Sequence, residues 1–280
     1  MRRPSLIAPL ALSAFCLILG GCPSGDERPN SSTSNYLEDR GHVFSDDDAA
    51  IAFVEYSYDV TTSGVAPYQS RVYSNRAYQL KVANASGADV KSVGPQVAGQ
   101  APTKLFFMRS AGYVLAFETT DAAYVVKKLD LDSGAMTEIT RDGTTPCDGN
   151  IFNAIPSPQG DIIAITRWDE TSGCAEGEEI RVSVELLDAI DGELLAPKTT
   201  LAFDNMTLRF TWRGDEAFVV SDLSKSVEVS EDGVVEDVRQ PGCFYPQTTS
   251  SEIAANGTAV SFENGTIALG SADRPGFGCQ

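Results

Sequence analysis

One phrase recurs along this chain and constrains its fold more than any other feature. In Ser157-Pro158-Gln159-Gly160-Asp161, Pro and Gly punctuate a tight turn, and the apolar, β-branched run Ile162-Ile163-Ala164-Ile165 follows at once. That combination reads as a turn feeding a buried strand. Weaker copies stand at Arg109-Ser110-Ala111-Gly112 before Tyr113 to Phe117, and at Trp212-Arg213-Gly214-Asp215-Glu216 before Ala217 to Val220. Two more stand at Ala254 to Thr258 before Ala259 to Phe262, and at Ser45-Asp46-Asp47-Asp48, with Asp in place of Gly, before Ala49 to Phe53. The five turn residues are Asp48, Gly112, Gly160, Gly214 and Gly257. Their spacing, roughly 40 to 65 residues, is close to the period of a propeller blade made of short strands.

The second copy shows the unit best. Leu105 to Met108 precedes the turn, Val114 to Phe117 follows it, and Tyr124 to Leu131 and Ala135 to Thr140 form a hairpin. Asp130-Leu131-Asp132-Ser133-Gly134 links that hairpin with residues suited to a tight turn. Asn84 to Gly87, Asp188 to Gly192 and Ser230 to Gly233 are similar links. No stretch of comparable length carries a 3.6-residue apolar period, so the expected class is all-β. With five copies the expectation is a five-bladed β-propeller. The last copy ends in Gly270 to Gln280, a tail with Pro275 and no fourth strand. Residues 36–44 are expected to supply that strand and close the ring, which removes two open sheet edges.

These turns, strands and hairpins resemble the TolB-like propeller repeat, with its Ser-Pro-Asp-Gly turn, Ile-Ala-Phe strand and Asp-x-x-(Ser/Thr)-Gly hairpin. The resemblance covers roughly residues 43 to 270 in five copies. Only the third keeps Ser-Pro-x-Gly, with Gln159 where the repeat has Asp.

The N-terminus reads as an export signal. Arg2 and Arg3 are basic, Leu6 to Leu19 is apolar, and Gly20-Gly21 precedes Cys22. Leu19-Gly20-Gly21-Cys22 resembles a bacterial lipobox. The resemblance implies a diacylglycerol on Cys22, a mature chain starting there, and a membrane held through that lipid. Pro at position 23, where the sorting rule of enteric bacteria has Asp for retention, implies the outer membrane. Pro23 to Asn35 carries no residue able to anchor a core and reads as a tether. The organisation expected is thus a signal at 1–21, lipidated Cys22 and tether at 22–35, and a propeller domain at 36–280.

Six Cys are present. With Cys16 in the signal and Cys22 lipidated, Cys147, Cys174, Cys243 and Cys279 remain. Four Cys in an exported chain suggest two disulfides among three possible connectivities. Nearest-neighbour pairing gives Cys147–Cys174 and Cys243–Cys279. No Cys-x-x-Cys spacing supports a metal site in their place.

The net charge of −18 repels phosphate backbones and argues against nucleic acid as a partner. The only His, His42, stands just before the first copy, where a packing role is commoner than catalysis. No Gly-x-Ser-x-Gly elbow exists, and a Ser-His-Asp triad would require His42 as its base. Acidic clusters at Asp46 to Asp48, Asp130 and Asp132, and Asp169, Glu170, Glu176, Glu178 and Glu179 could each form a carboxylate pair. In an acidic chain they are also the ordinary content of solvated loops. Asp130-x-Asp132-x-Gly134 mimics the start of a Ca²⁺ loop, but its twelfth position is Arg141 where a bidentate Glu is needed. The reading reached is a lipid-anchored, non-enzymatic binding or scaffolding protein of the bacterial cell envelope, with no cofactor, no metal, and a protein or glycan partner that the sequence does not name. The alternative is an exported propeller enzyme acting on glycan or peptide at the central channel.

Overall fold

The recurring turn has one backbone reason. Asp48, Gly112, Gly160 and Gly214 all adopt positive φ, at 55°, 78°, 79° and 57°. Gly enters that region without a Cβ penalty, and Asp is among the few other residues that tolerate it, so Asp48 fills the place of Gly. In each of the first three turns the N–H of that residue donates back to the carbonyl three positions earlier: Asp48 to Ser45 at 3.0 Å, Gly112 to Arg109 at 3.1 Å, Gly160 to Ser157 at 2.9 Å.

A computed structural model describes residues 31–64, 69–120, 123–143, 151–168, 180–203, 208–214, 217–222, 225–230, 235–238, 258–263 and 266–271. Every element among these residues is a strand. The first sheet is β1 (Ser32–Phe44), β2 (Ala50–Ser63), β3 (Ser70–Asn84) and β4 (Lys91–Ala98). The second is β5 (Lys104–Met108), β6 (Tyr113–Thr119), β7 (Ala123–Asp130) and β8 (Met136–Gly143). The third is β9 (Ile151–Pro156), β10 (Ile162–Trp168), β11 (Ile180–Asp188) and β12 (Thr199–Phe203). The fourth is β13 (Arg209–Arg213), β14 (Ala217–Ser221), β15 (Ser226–Ser230) and β16 (Val235–Val238). β17 (Thr258–Glu263) and β18 (Thr266–Ser271) form a fifth, two-stranded sheet. All pairings within the sheets are antiparallel and join sequence neighbours, the meander of a propeller blade.

The order of the sheets follows from which face of each is covered. In the second sheet Phe107, Val114 and Leu129 pack with Val54, Tyr78 and Leu80 of the first. Its opposite face, with Phe106, Met108, Leu115 and Phe117, joins a cluster that contains Ile163, Ile165, Trp212 and Phe218 of the third and fourth. Covering both faces buries the first four or more positions of the second strand in each four-stranded sheet, which is why these strands open on unbroken apolar runs without alternation. Trp212 ties the fourth sheet to the third by donating its indole N–H to the Ile155 carbonyl at 3.2 Å. The other face of the first sheet, with Phe44 and Ile51, packs against Ile267 of β18.

The first sheet corrects the expected closure. β1 pairs with β2 from Ser32↔Thr62 to Phe44↔Ile51, so residues 36–44 belong to the first sheet and, among the described residues, do not pair with the last. The repeat already places a strand before each turn, and residues 36–44 are that strand for the turn at Asp48. The fifth sheet instead meets the first by packing: a Cβ on Gly87 would lie 2.9 Å from Cγ2 of Ile267. The pairing also begins at Ser32, so Ser32 to Asn35, read as the end of a tether, are the start of β1.

A second repeated feature, not visible as a motif, joins the two turns at one end of each of the first three sheets. Ala85 donates to Ala49 at 3.0 Å, Leu131 to Gly112 at 2.9 Å, and Ala189 to Asp161 at 2.8 Å. Each bond locks the turn linking the third and fourth strands onto the turn linking the first two.

Candidate functional site

Strand length singles out the first sheet. β1, β2 and β3 run 13, 14 and 15 residues, against 5, 7 and 8 for β5, β6 and β7 beside them. The face that packs on the second sheet therefore continues past it. Residues 32–37, 57–63 and 70–76 form a three-stranded overhang, about 20 Å long at 3.3 Å per residue. β4 pairs with β3 only between Ala77 and Val82, so the outer edge of Ser70 to Asn75 has no paired strand among the described residues.

Alternation puts Tyr36, Tyr58 and Tyr73 on the face that continues the core. Tyr36 and Tyr58 are direct partners across the strands and stack at 5.4 Å with an interplanar angle of 10°. Tyr58 lies 5.8 Å from Tyr73 and 5.4 Å from Tyr56, whose ring is already in the core. The Arg40 guanidinium sits over Tyr56 at 4.7 Å and over Tyr58 at 5.9 Å, and Arg76 sits 5.8 Å from the Tyr73 ring. Tyr36 is 46% and Tyr73 48% exposed, and Leu37 and Val72 on the opposite face are 64% and 57% exposed. That opposite face is otherwise polar. Thr33 and Thr61 hydroxyls are 3.0 Å apart, and Asn35 and Asn75 donate to the Asp59 carboxylate at 2.8 and 2.6 Å. Those two amides hold the Asp59 carboxyl below the usual carboxylate range. A rigid, exposed surface of Tyr and Arg has the composition of a recognition surface.

The residues singled out from sequence fall elsewhere. Cys22, Cys147, Cys174, Cys243 and Cys279, and the acidic loop Asp169 to Glu179, lie outside the described residues. His42 stands half-buried on β1, beside the bulge at Arg40/His42. Asp46 and Asp47 hold two turns together. Asp46 accepts the Arg109 backbone N–H at 2.9 Å and also bonds the Ser110 hydroxyl, while Asp47 pairs with Arg109. Asp130 accepts the Ser133 N–H at 2.7 Å and its hydroxyl at 2.6 Å, and these bonds lower its pKa. The Asp130-x-Asp132-x-Gly134 segment is therefore a hairpin turn. Among the described residues no three His, Cys, Asp or Glu side chains gather where they could hold a metal ion.

Charges do converge between sheets, in a pattern that the sequence conceals. Glu118 on β6 is 5% exposed; it accepts from the Tyr78 hydroxyl of the first sheet and lies 2.9 Å from Lys127 Nζ on β7. Burial, with the Glu118 carboxylate beside it, pushes the Tyr78 phenol up. Arg167 on β10 lies 3.1 Å from Glu185 on β11 and pairs with Asp142 of the second sheet. Glu55 pairs with Lys81 in the first sheet. Each intrasheet pair is diagonal: Glu118 faces Val125, Arg167 faces Ser183 and Glu55 faces Gln79, with the partner two residues further on. In the third sheet the signs are reversed. These pairs fasten strand to strand and blade to blade, and their charged atoms are occupied in doing so.

No family model and no curated protein matches the chain. Solved structures resemble it at low identity. An acylaminoacyl peptidase in complex with Z-Gly-Gly-Phe-chloromethyl ketone is 12% identical over 75% of this chain and 33% of that one, with a TM-score of 0.44. TolB from Acinetobacter baumannii is 11% identical over 86% and 66%, with a TM-score of 0.38. A puromycin-hydrolyzing peptidase of Mycobacterium tuberculosis is 11% identical over 81% and 45%, with a TM-score of 0.38. The chain spans less than two thirds of the length of each. The chain is an all-β protein of the propeller class; that rests on its own consecutive four-stranded meanders and on faces that pack in chain order.

Proposed function

We propose that the chain is a lipid-anchored binding protein of the bacterial cell envelope, with a propeller ectodomain and no catalysis of its own. The observation that supports this most is the overhang of the first sheet, where Tyr36, Tyr58 and Tyr73 with Arg40 and Arg76 build an exposed recognition surface, whereas the Asp46, Asp47 and Asp130 carboxylates are engaged in turns. The anchor is Cys22, within its Leu-Gly-Gly-Cys box. The wild-type chain is expected in the membrane fraction with an acylated Cys22 peptide. Cys22→Ser should lose that peptide and migrate as an uncut precursor. A Cys22→Ser chain of unchanged mobility in the membrane fraction would overturn the anchor.

Oxidising export also sets the cysteine chemistry. Cys147–Cys174 and Cys243–Cys279 are the pairings proposed, each contributing on the order of 3–4 kcal/mol if unstrained. Non-reducing peptide mapping should return those two linked pairs, and four free thiols or a crossed Cys147–Cys243 link would refute them.

A further inference from the structure

We propose that the overhang of the first sheet rests on the headgroup surface of the same bilayer that holds the lipid, so that the protein is fixed by two contacts. This inference builds on the lipid-anchored reading. The argument begins with where the chain enters the fold. Ser32 pairs with Thr62, beside the tip where Ser63 pairs with Ser70 and their hydroxyls lie 2.8 Å apart. The segment leading from Cys22 thus joins the domain at the tip of the overhang and not at the blade turns. Cys22 is ten residues before Ser32, a reach of at most about 35 Å at 3.6 Å per residue. A lipid on Cys22 would keep this tip near the membrane whatever the rest of the domain does.

The tip has the chemistry of that interface. Tyr36 and Tyr73 expose amphipathic rings on one face, and Leu37 and Val72 expose apolar side chains on the other. Tyrosines with an apolar body and a polar end suit the headgroup level. At its base Glu38 is paired with Arg40, and the ionised Asp59 carboxylate faces the polar side, where it accepts from Asn35 and Asn75. Arg71 shares the Tyr73 face by alternation, and among the described residues neither Arg71 nor Arg76 has a carboxylate partner. Residues 32–37, 57–63 and 70–76 thus carry Arg71 and Arg76 against Asp59, a small positive excess on a chain of net charge −18. Anionic headgroups attract that end alone and repel the rest, which orients the propeller with its overhang down. A second copy of the chain fits less well, because two such acidic molecules repel one another. Stacked against each other and against Arg40, the Tyr36 and Tyr58 ring faces are also poorly placed for sugar rings.

Hydrogen exchange on the full-length mature protein tests this, with the Cys22 peptide mass read in the same digest. On vesicles of phosphatidylethanolamine and phosphatidylglycerol, amides of 32–37 and 70–76 should exchange several-fold more slowly than in detergent. Phosphatidylcholine vesicles should give a smaller slowing. The Arg71→Glu/Arg76→Glu double variant should abolish the slowing while leaving acylation and the thermal midpoint unchanged, and Tyr36→Ser/Tyr73→Ser should weaken it. Equal exchange on both vesicles and in detergent overturns the proposal. Slowing that grows with protein density on the vesicle marks a second copy, and slowing seen only after envelope proteins are added marks a protein partner; either overturns it. A Cys22 peptide without acyl mass sinks the anchor instead, and vesicles added to that unacylated chain still decide whether the overhang docks.

Discussion

Gly160→Ala should destabilise the domain by about 2–4 kcal/mol, a lowering of the thermal midpoint by roughly 2–4 °C per kcal/mol for a domain of this size. Two effects add. Gly160 has φ of 79°, where an L side chain is strained. Its Cβ would also meet Ala111 Cβ at 2.7 Å and Met108 Cε at 3.2 Å, because the third turn is pressed against the second. The Tyr113 hydroxyl fixes that approach by donating to the Gly160 carbonyl at 2.9 Å. Gly112 separates the two effects, having φ of 78° with nothing within 4 Å of its Cβ. Gly112→Ala should therefore cost only about 1–2 kcal/mol, the backbone part alone. Ala111→Gly placed on Gly160→Ala should recover the steric share and leave the backbone share. Equal losses for the Gly112 and Gly160 variants, with no recovery at Ala111, would mean that the turns do not interlock. Thermal and denaturant melts of the set decide.

What could be read from sequence follows the same physics. A left-handed turn position admits few residues, so Gly112, Gly160, Gly214 and even Asp48 announce it. A strand covered on both faces loses its polar alternation, so Ile162 to Ile165 stands out. A hairpin capped by its own Asp reads locally, so Asp130 to Gly134 could be told from a Ca²⁺ loop. The role of residues 36–44 is ambiguous in sequence because the segment suits two places, and only pairing with β2 assigns it. The overhang escaped for a related reason. Tyr56-x-Tyr58 alternates as any half-buried strand does, and nothing local says that the neighbouring sheet ends before Tyr58. The charge pairs are hidden still more deeply. Glu118 and Lys127, or Arg167 and Glu185, become partners only when the register is set, and the swap of sign in the third sheet hides its likeness to the first two.

The node around Glu118 should carry the other large effect. Lys127→Met is expected to cost about 2–4 kcal/mol, because it leaves a buried carboxylate with its cation gone. The side chains of Lys127 and Glu118 are 17% and 7% exposed, so water relieves little of that cost at the carboxylate. Glu118→Gln in the Lys127→Met background removes the stranded charge and keeps an acceptor for the Tyr78 hydroxyl. The double variant should regain most of the loss, as buried ion pairs contribute little net stability but are costly to break from one side. The location of the damage is a second reading. Tyr78 belongs to β3 and is 1% exposed, Glu118 to β6, so the node sits where the first sheet meets the second. Hydrogen exchange in Lys127→Met should quicken in β3 and β6 and stay near wild type in β10 and β14. A single variant within about 1 kcal/mol of wild type, or a double variant no better than the single, would show that the carboxylate is not held by Lys127 and that the blades are joined here by apolar packing alone.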